Sequence, residues 1–173
     1  PQSTAVNTIT QPAGSLAGAS AAASSNGNIY IANSGSGSVT VIPAATNAAV
    51  GNVTVGTQPA SVATNAASNK VYVVNRGSNS VSVINTQDNA VAPATIPVGL
   101  SPIWAVTSPD AQIVFVVNQG SGTVTVIDTL TDLPAGPPIT VGTSPNFAFY
   151  DEKLKRLYVN NSGSNSISVI KAD

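Results

Sequence analysis

Apolar positions along this chain fall into short runs, separated by clusters of Gly, Ser and Asn. Val71-Tyr72-Val73-Val74 and Phe115-Val116-Val117 are β-branched and aromatic throughout, the pattern of a strand covered on both faces. Ser80-Val81-Ser82-Val83-Ile84 and Thr123-Val124-Thr125-Val126-Ile127 instead alternate with period two, which predicts a strand with one apolar face. The joining residues, Arg76-Gly77-Ser78-Asn79 and Gln119-Gly120-Ser121-Gly122, supply Gly and Asn where a hairpin needs positive φ. Each pair of runs therefore reads as an antiparallel hairpin. No helix is expected, because no stretch shows an apolar stripe of period 3.6 and Gly or Pro interrupts most windows.

The hairpin recurs. The phrase Asn33 to Ile42 returns as Asn75 to Ile84, Asn118 to Ile127 and Asn161 to Ile170, at offsets of 42, 43 and 43 residues. A period near 43 falls in the range of propeller blades and helical pairs, and the strand signals select the former. A strand after each recurring Pro (Ala60 to Thr64, Ile103 to Thr107, Asn146 to Tyr150) precedes the hairpin, and a strand near Gly (Ala94 to Val98, Pro138 to Val141) follows it. Four strands make one antiparallel blade, which is stable only when a neighbour covers its faces. The expected fold is all-β: a propeller of four blades of about 43 residues, with repeats near 12–56, 57–99, 100–142 and 143–173 and an outer strand at 4–10. In the first repeat Pro12 lies 18 residues before Tyr30 instead of 13, and the extra length falls in Ala13 to Asn28, read as a surface loop.

Tyr72-Val73-Val74-Asn75 through Ile84, the connector Pro97 to Pro102 and Thr107 to Ala111 resemble the YVTN-type β-propeller repeats of bacterial periplasmic and archaeal surface-layer proteins. The resemblance covers nearly the whole chain. It implies four-stranded blades around a central channel, an extracytoplasmic setting and recognition or scaffold roles, and it carries no shared catalytic motif.

Thr4 to Pro12 is similar to Ala49 to Pro59, the fourth strand of one repeat leading into the next, while the last repeat stops at Asp173 after its third strand. A spare outer strand and a missing one match, and pairing them caps an open edge. Closure within one chain needs bulky side chains to fill wide wedges, yet aromatics are only 5%. The composition therefore favours two chains joined head to tail into an eight-bladed homodimer. The same contact without closure makes a filament, and a piece of a longer propeller, consistent with the absence of Met, stays open.

Charged residues are 8% and the net charge is −1, so solubility rests on Ser, Thr, Asn and Gln. Six basic residues against seven acids give no stripe for phosphate, which argues against nucleic acid as a partner. The chain has no Cys, and Ala13 to Ser25, with only Leu16 as a bulky apolar residue, is no membrane span.

With no His and no Cys the commonest general base, metal ligand and thiolate are missing, and no cofactor or metal is expected. A Ser-Lys arrangement is the remaining nucleophilic option, and the spacing of Lys70, Lys153, Lys155 and Lys171 does not favour it. Among the carboxylates Asp88, Asp110, Asp128, Asp132, Asp151 and Glu152, the aspartates at 110 and 128 read as turn or cap residues. Asp128 with Asp132 lacks the oxygen array of a calcium loop. The cluster Asp151, Glu152, Lys153, Lys155 and Arg156 reads as a solvated hairpin tip or a contact point for a partner or acidic ligand. Trp104 is read as a core residue, with a ligand platform near the channel as the alternative. The repeated aromatics Tyr30, Tyr72, Phe115 and Tyr158 are expected to pack blades, and Asn33, Asn75, Asn118 and Asn161 to form turns. The function expected is a non-enzymatic structural or protein-interaction module of a cell surface or secreted assembly. The alternatives are small-molecule or glycan binding at the channel mouth and, less favoured, a hydrolase or lyase using carboxylates.

Overall fold

A computed structural model describes residues 20–46, 48–49, 51–108 and 112–172. Segment 4–10, Asp110 and most of the Ala-rich stretch lie outside the described residues. Those that are described fold entirely as strands and turns, in four antiparallel sheets that follow one another along the chain. Sheet 1 comprises β1 (Ala21–Ala23), β2 (Asn28–Asn33), β3 (Ser38–Pro43) and β4 (Gly51–Thr54), and sheet 2 comprises β5 (Pro59–Asn65), β6 (Lys70–Asn75), β7 (Ser80–Asn85) and β8 (Ile96–Pro97). Sheet 3 holds β9 (Pro102–Ser108), β10 (Ile113–Asn118), β11 (Thr123–Asp128) and two short outer pieces, β12 (Leu133–Pro134) and β13 (Ile139–Thr140). Sheet 4 holds β14 (Pro145–Asp151), β15 (Arg156–Asn161) and β16 (Ser166–Lys171). This is the blade order of a β-propeller.

The turns use the left-handed backbone where the sequence placed Gly or Asn. Gly37, Asn79, Gly122 and Asn165, at one equivalent position of the second hairpin in each sheet, all have positive φ between 49° and 62°. The Ala-rich stretch departs from the expected loop. Ala21–Ala23 pairs with Ile29, Tyr30 and Ile31 as the inner strand of sheet 1, because small side chains are tolerated where inner strands crowd together.

The repeated asparagines also depart from expectation. Asn33, Asn75, Asn118 and Asn161 sit fully buried at the end of the second strand, outside the turn proper. Each donates its side-chain N–H to hydroxyls on the third strand, as Asn75 Nδ2 does to Ser82 Oγ at 3.0 Å and Asn118 Nδ2 to Thr125 Oγ1 at 2.9 Å. Their Oδ1 atoms have no protein partner. A glycine just after the preceding fourth strand makes room: a Cβ on Gly56 would lie 2.5 Å from Asn75 Cγ, and one on Gly99 would lie 2.7 Å from Asn118 Cγ.

Three apolar clusters join the sheets. Tyr30, Val41, Val62 and Val73 link sheets 1 and 2, Tyr72, Val81, Ala105 and Val116 link sheets 2 and 3, and Phe115, Val124, Leu157 and Val159 link sheets 3 and 4. Among the described residues no such cluster joins sheet 4 to sheet 1, so the sheets form an open arc with two end faces.

Candidate functional site

Inner strands of neighbouring sheets are stitched by a recurring polar pattern. Thr64 Oγ1 donates to the Ala23 carbonyl and Thr107 Oγ1 to the Thr64 carbonyl, both at 2.9 Å. At the other rim, the tyrosines of the second strands of sheets 1 and 2 reach into the next sheet: Tyr30 Oη donates to Asn89 Oδ1 at 2.6 Å and Tyr72 Oη to Asp132 Oδ1 at 2.9 Å. Lys70 strengthens the second of these, with Nζ 2.7 Å from Asp132 Oδ2 and 2.8 Å from the Thr129 carbonyl. Burial, then the bond to Asp132 and its charge, push the Tyr72 hydroxyl pKa well above its ordinary value, and burial also raises that of Tyr30.

This Lys70–Tyr72–Asp132 clasp binds three titratable side chains together, and its Lys70 and Asp132 line a groove of about 310 Å³ with Val83, Asn85 and Pro93. Its charges are spent on each other. The sequence reading passed over it because Lys70 and Asp132 are 62 residues apart. One signal could have found it: Asn89 and Asp132 occupy the same repeat position, as do Tyr30 and Tyr72, so one contact predicts the other.

Trp104 lies between sheets 3 and 4, among the partly buried residues of their shared cluster. Its indole N–H donates to the Ala148 carbonyl at 3.1 Å, and its ring centroid is 5.1 Å from that of Phe147. The charged cluster is elsewhere. Asp151 ends β14 and accepts from the backbone N–H groups of Lys153 and Leu154 at 2.9 and 3.0 Å, while Glu152, Lys153, Lys155 and Arg156 are exposed around that turn. Trp104 pairs with Val117 towards one end of the sheets and Asp151 with Arg156 at the other, so the structure does not bring the two together. Asp128 caps its own turn, accepting from Leu130 N at 2.7 Å, and among the described residues no three metal-ligating side chains gather. No helix of the described residues is long and apolar enough to cross a membrane.

Four exposed apolar side chains gather on one face of sheet 4. Phe147 and Phe149 on β14 and Ile167 and Val169 on β16 are exposed, with Phe149 at 58% and Ile167 at 66%. Register aligns Phe149, Tyr158 and Val169 in one row across the sheet and Phe147, Asn160 and Ile167 in the next.

No protein-family model matches the chain, and no curated protein matches it. Its likeness to solved structures is extensive. It is similar to Kuenenia stuttgartiensis hydrazine synthase, with 26% identity and a TM-score of 0.81 over 99% of this chain and 49% of that one. It is also similar to the dihydro-heme d1 dehydrogenase NirN, with 16% identity and a TM-score of 0.72 over 88% of this chain and 34% of that one. A putative 6-phosphogluconolactonase from Bacteroides uniformis has 17% identity and a TM-score of 0.73 over 88% of this chain and 49% of that one. These neighbours are β-propeller-type folds, and this chain spans about half of their length or less.

Proposed function

We propose that this chain is a non-enzymatic propeller module, of the YVTN type and extracytoplasmic, whose role is structural contact within a surface or secreted assembly. The observation that carries this reading is the apolar outward face of sheet 4, since contiguous exposed apolar surface marks a place of association. The placement of the polar groups supports it. Lys70, Tyr72 and Asp132 bond one another across two sheets, and the single N–H of the Trp104 ring is occupied by a backbone carbonyl. Both arrangements hold blades together and leave little to act on a substrate or to orient a glycan.

Two of the structural neighbours are named a hydrazine synthase and a dihydro-heme d1 dehydrogenase, and a third a putative 6-phosphogluconolactonase, which sets the test. The purified chain should hydrolyse no lactone of a standard panel and develop no haem absorbance band on titration with haem. Saturable turnover lost in both Asp132→Asn and Asp151→Asn, with the fold retained, would overturn the reading in favour of carboxylate chemistry.

A further inference from the structure

The exposed face of sheet 4 has counterparts one repeat earlier, and there they are covered. Phe147, Phe149, Tyr158, Asn160, Ile167 and Val169 correspond to Trp104, Val106, Phe115, Val117, Val124 and Val126 of sheet 3. All six of the latter pack in the cluster shared with sheet 4. What covers them is the opposite face of sheet 4, including Ala148, Tyr150, Leu157 and Val159.

That covering face also has counterparts, and one set stands at the other end of the arc. Leu157 and Val159 correspond to Ile29 and Ile31 of sheet 1, and strand pairing places Ala21 and Ala23 where sheet 4 has Ala148 and Tyr150. Ala21 and Ala23 are exposed and Ile29 and Ile31 only half-buried, whereas Val71 and Val73 at the same positions in sheet 2 are fully buried. Side-chain sizes fit. In the cluster between sheets 3 and 4 the inner strands supply the small Val106 and the large Tyr150; on the two end faces the sizes are reversed, with Phe149 on one and Ala23 on the other, so a ring again meets a small side chain. A net charge of −1 puts little repulsion between copies.

We propose that the free face of sheet 4 docks on sheet 1 of a second copy of this chain, head to tail, continuing the blade stack across the chain boundary. The inference rests on the interaction-module reading and names its partner. Such a contact is heterologous, so it closes a ring or extends as a filament.

Sedimentation of the 173-residue chain at micromolar concentration should give twice the chain mass of 17.2 kDa, or a series of its multiples. The double change Phe149→Asp with Ile167→Lys should reduce this to the single-chain mass while the β signal by circular dichroism persists. The chain lacks Cys, so a second measurement is independent of that variant. Phe149→Cys chains mixed with Ala23→Cys chains should be joined by a short bis-maleimide linker, and neither variant should join to itself. Single-chain mass at every concentration would overturn the proposal, and so would self-joining of Phe149→Cys alone, which means sheet 4 against sheet 4. Linking of both cysteines within one doubly substituted chain would also overturn it, because the arc would then close on itself. Loss of self-docking without enzymatic turnover leaves the interaction-module reading standing; turnover with docking retained removes that reading and keeps the docking.

Discussion

Sheets 2 and 3 meet through small inner-strand residues, Ser61, Ala63 and Thr64, and are tied at the rim by Lys70, Tyr72 and Asp132. Sheets 3 and 4 meet through rings: Phe115 stacks on Tyr150 with centroids 5.6 Å apart, and Trp104 tilts against Phe147. Phe115 replaces the tyrosine of the earlier sheets and has no hydroxyl to send across. The two contacts share an apolar core and differ in everything around it. Hairpin geometry is thus held by the repeat, while the chemistry joining one blade to the next is free to drift so long as apolar surface stays covered.

If the covered core dominates both contacts, Leu157→Ala should be the most damaging change. Leu157 is fully buried between sheets 3 and 4, and its truncation should cost about 2–5 kcal/mol, read as a lower urea midpoint. The comparison would fail if Asp132→Ala cost more. That change removes the acceptor of both Tyr72 and Lys70, and about 1–3 kcal/mol is expected because the hydroxyl and ammonium lose their partner.

Tyr72→Phe sharpens the contrast by giving the second contact the residue of the third, at a cost of about 1 kcal/mol near neutral pH. Its pH signature is more telling. Folded Tyr72 holds its proton above the unfolded value of 10.0, so its contribution is complete below that pH and is lost as pH rises beyond it. The variant should therefore show a shallower alkaline decline in thermal melting than the parent chain. Lys70→Gln should have the smallest effect, roughly 0–1 kcal/mol, because the ion pair is partly exposed, and added salt should erase most of the difference.

Much of the fold was legible because strands and turns are written locally. Alternation in Ser80 to Ile84, paired with the unbroken run before it, predicts the observed hairpin of β6 and β7, and Asn79 takes positive φ as expected. Trp104 was legible as a packing residue from its apolar neighbours. What escaped depends on neighbours distant in sequence. Ala21–Ala23 has no strand signal of its own and becomes one by pairing with β2. Asn75 looks like a turn residue until the hydroxyls of Ser80 and Ser82 are placed across the hairpin from it. Phe147 and Phe149 resemble any other inner-strand pair in sequence, and they are a surface because no sheet among the described residues covers that face.

The open arc also governs how the molecule comes apart. Among the described residues each apolar cluster joins only blades adjacent in sequence, so stability accumulates link by link as in a one-dimensional chain. Sheets 2 and 3 are held on two sides and the terminal sheets on one. Amide protons should accordingly exchange fastest in sheets 1 and 4, with fraying that travels inwards. A neighbour seated on either end would turn a terminal blade into an interior one, and the slowest-exchanging region would then no longer lie at the middle of the chain.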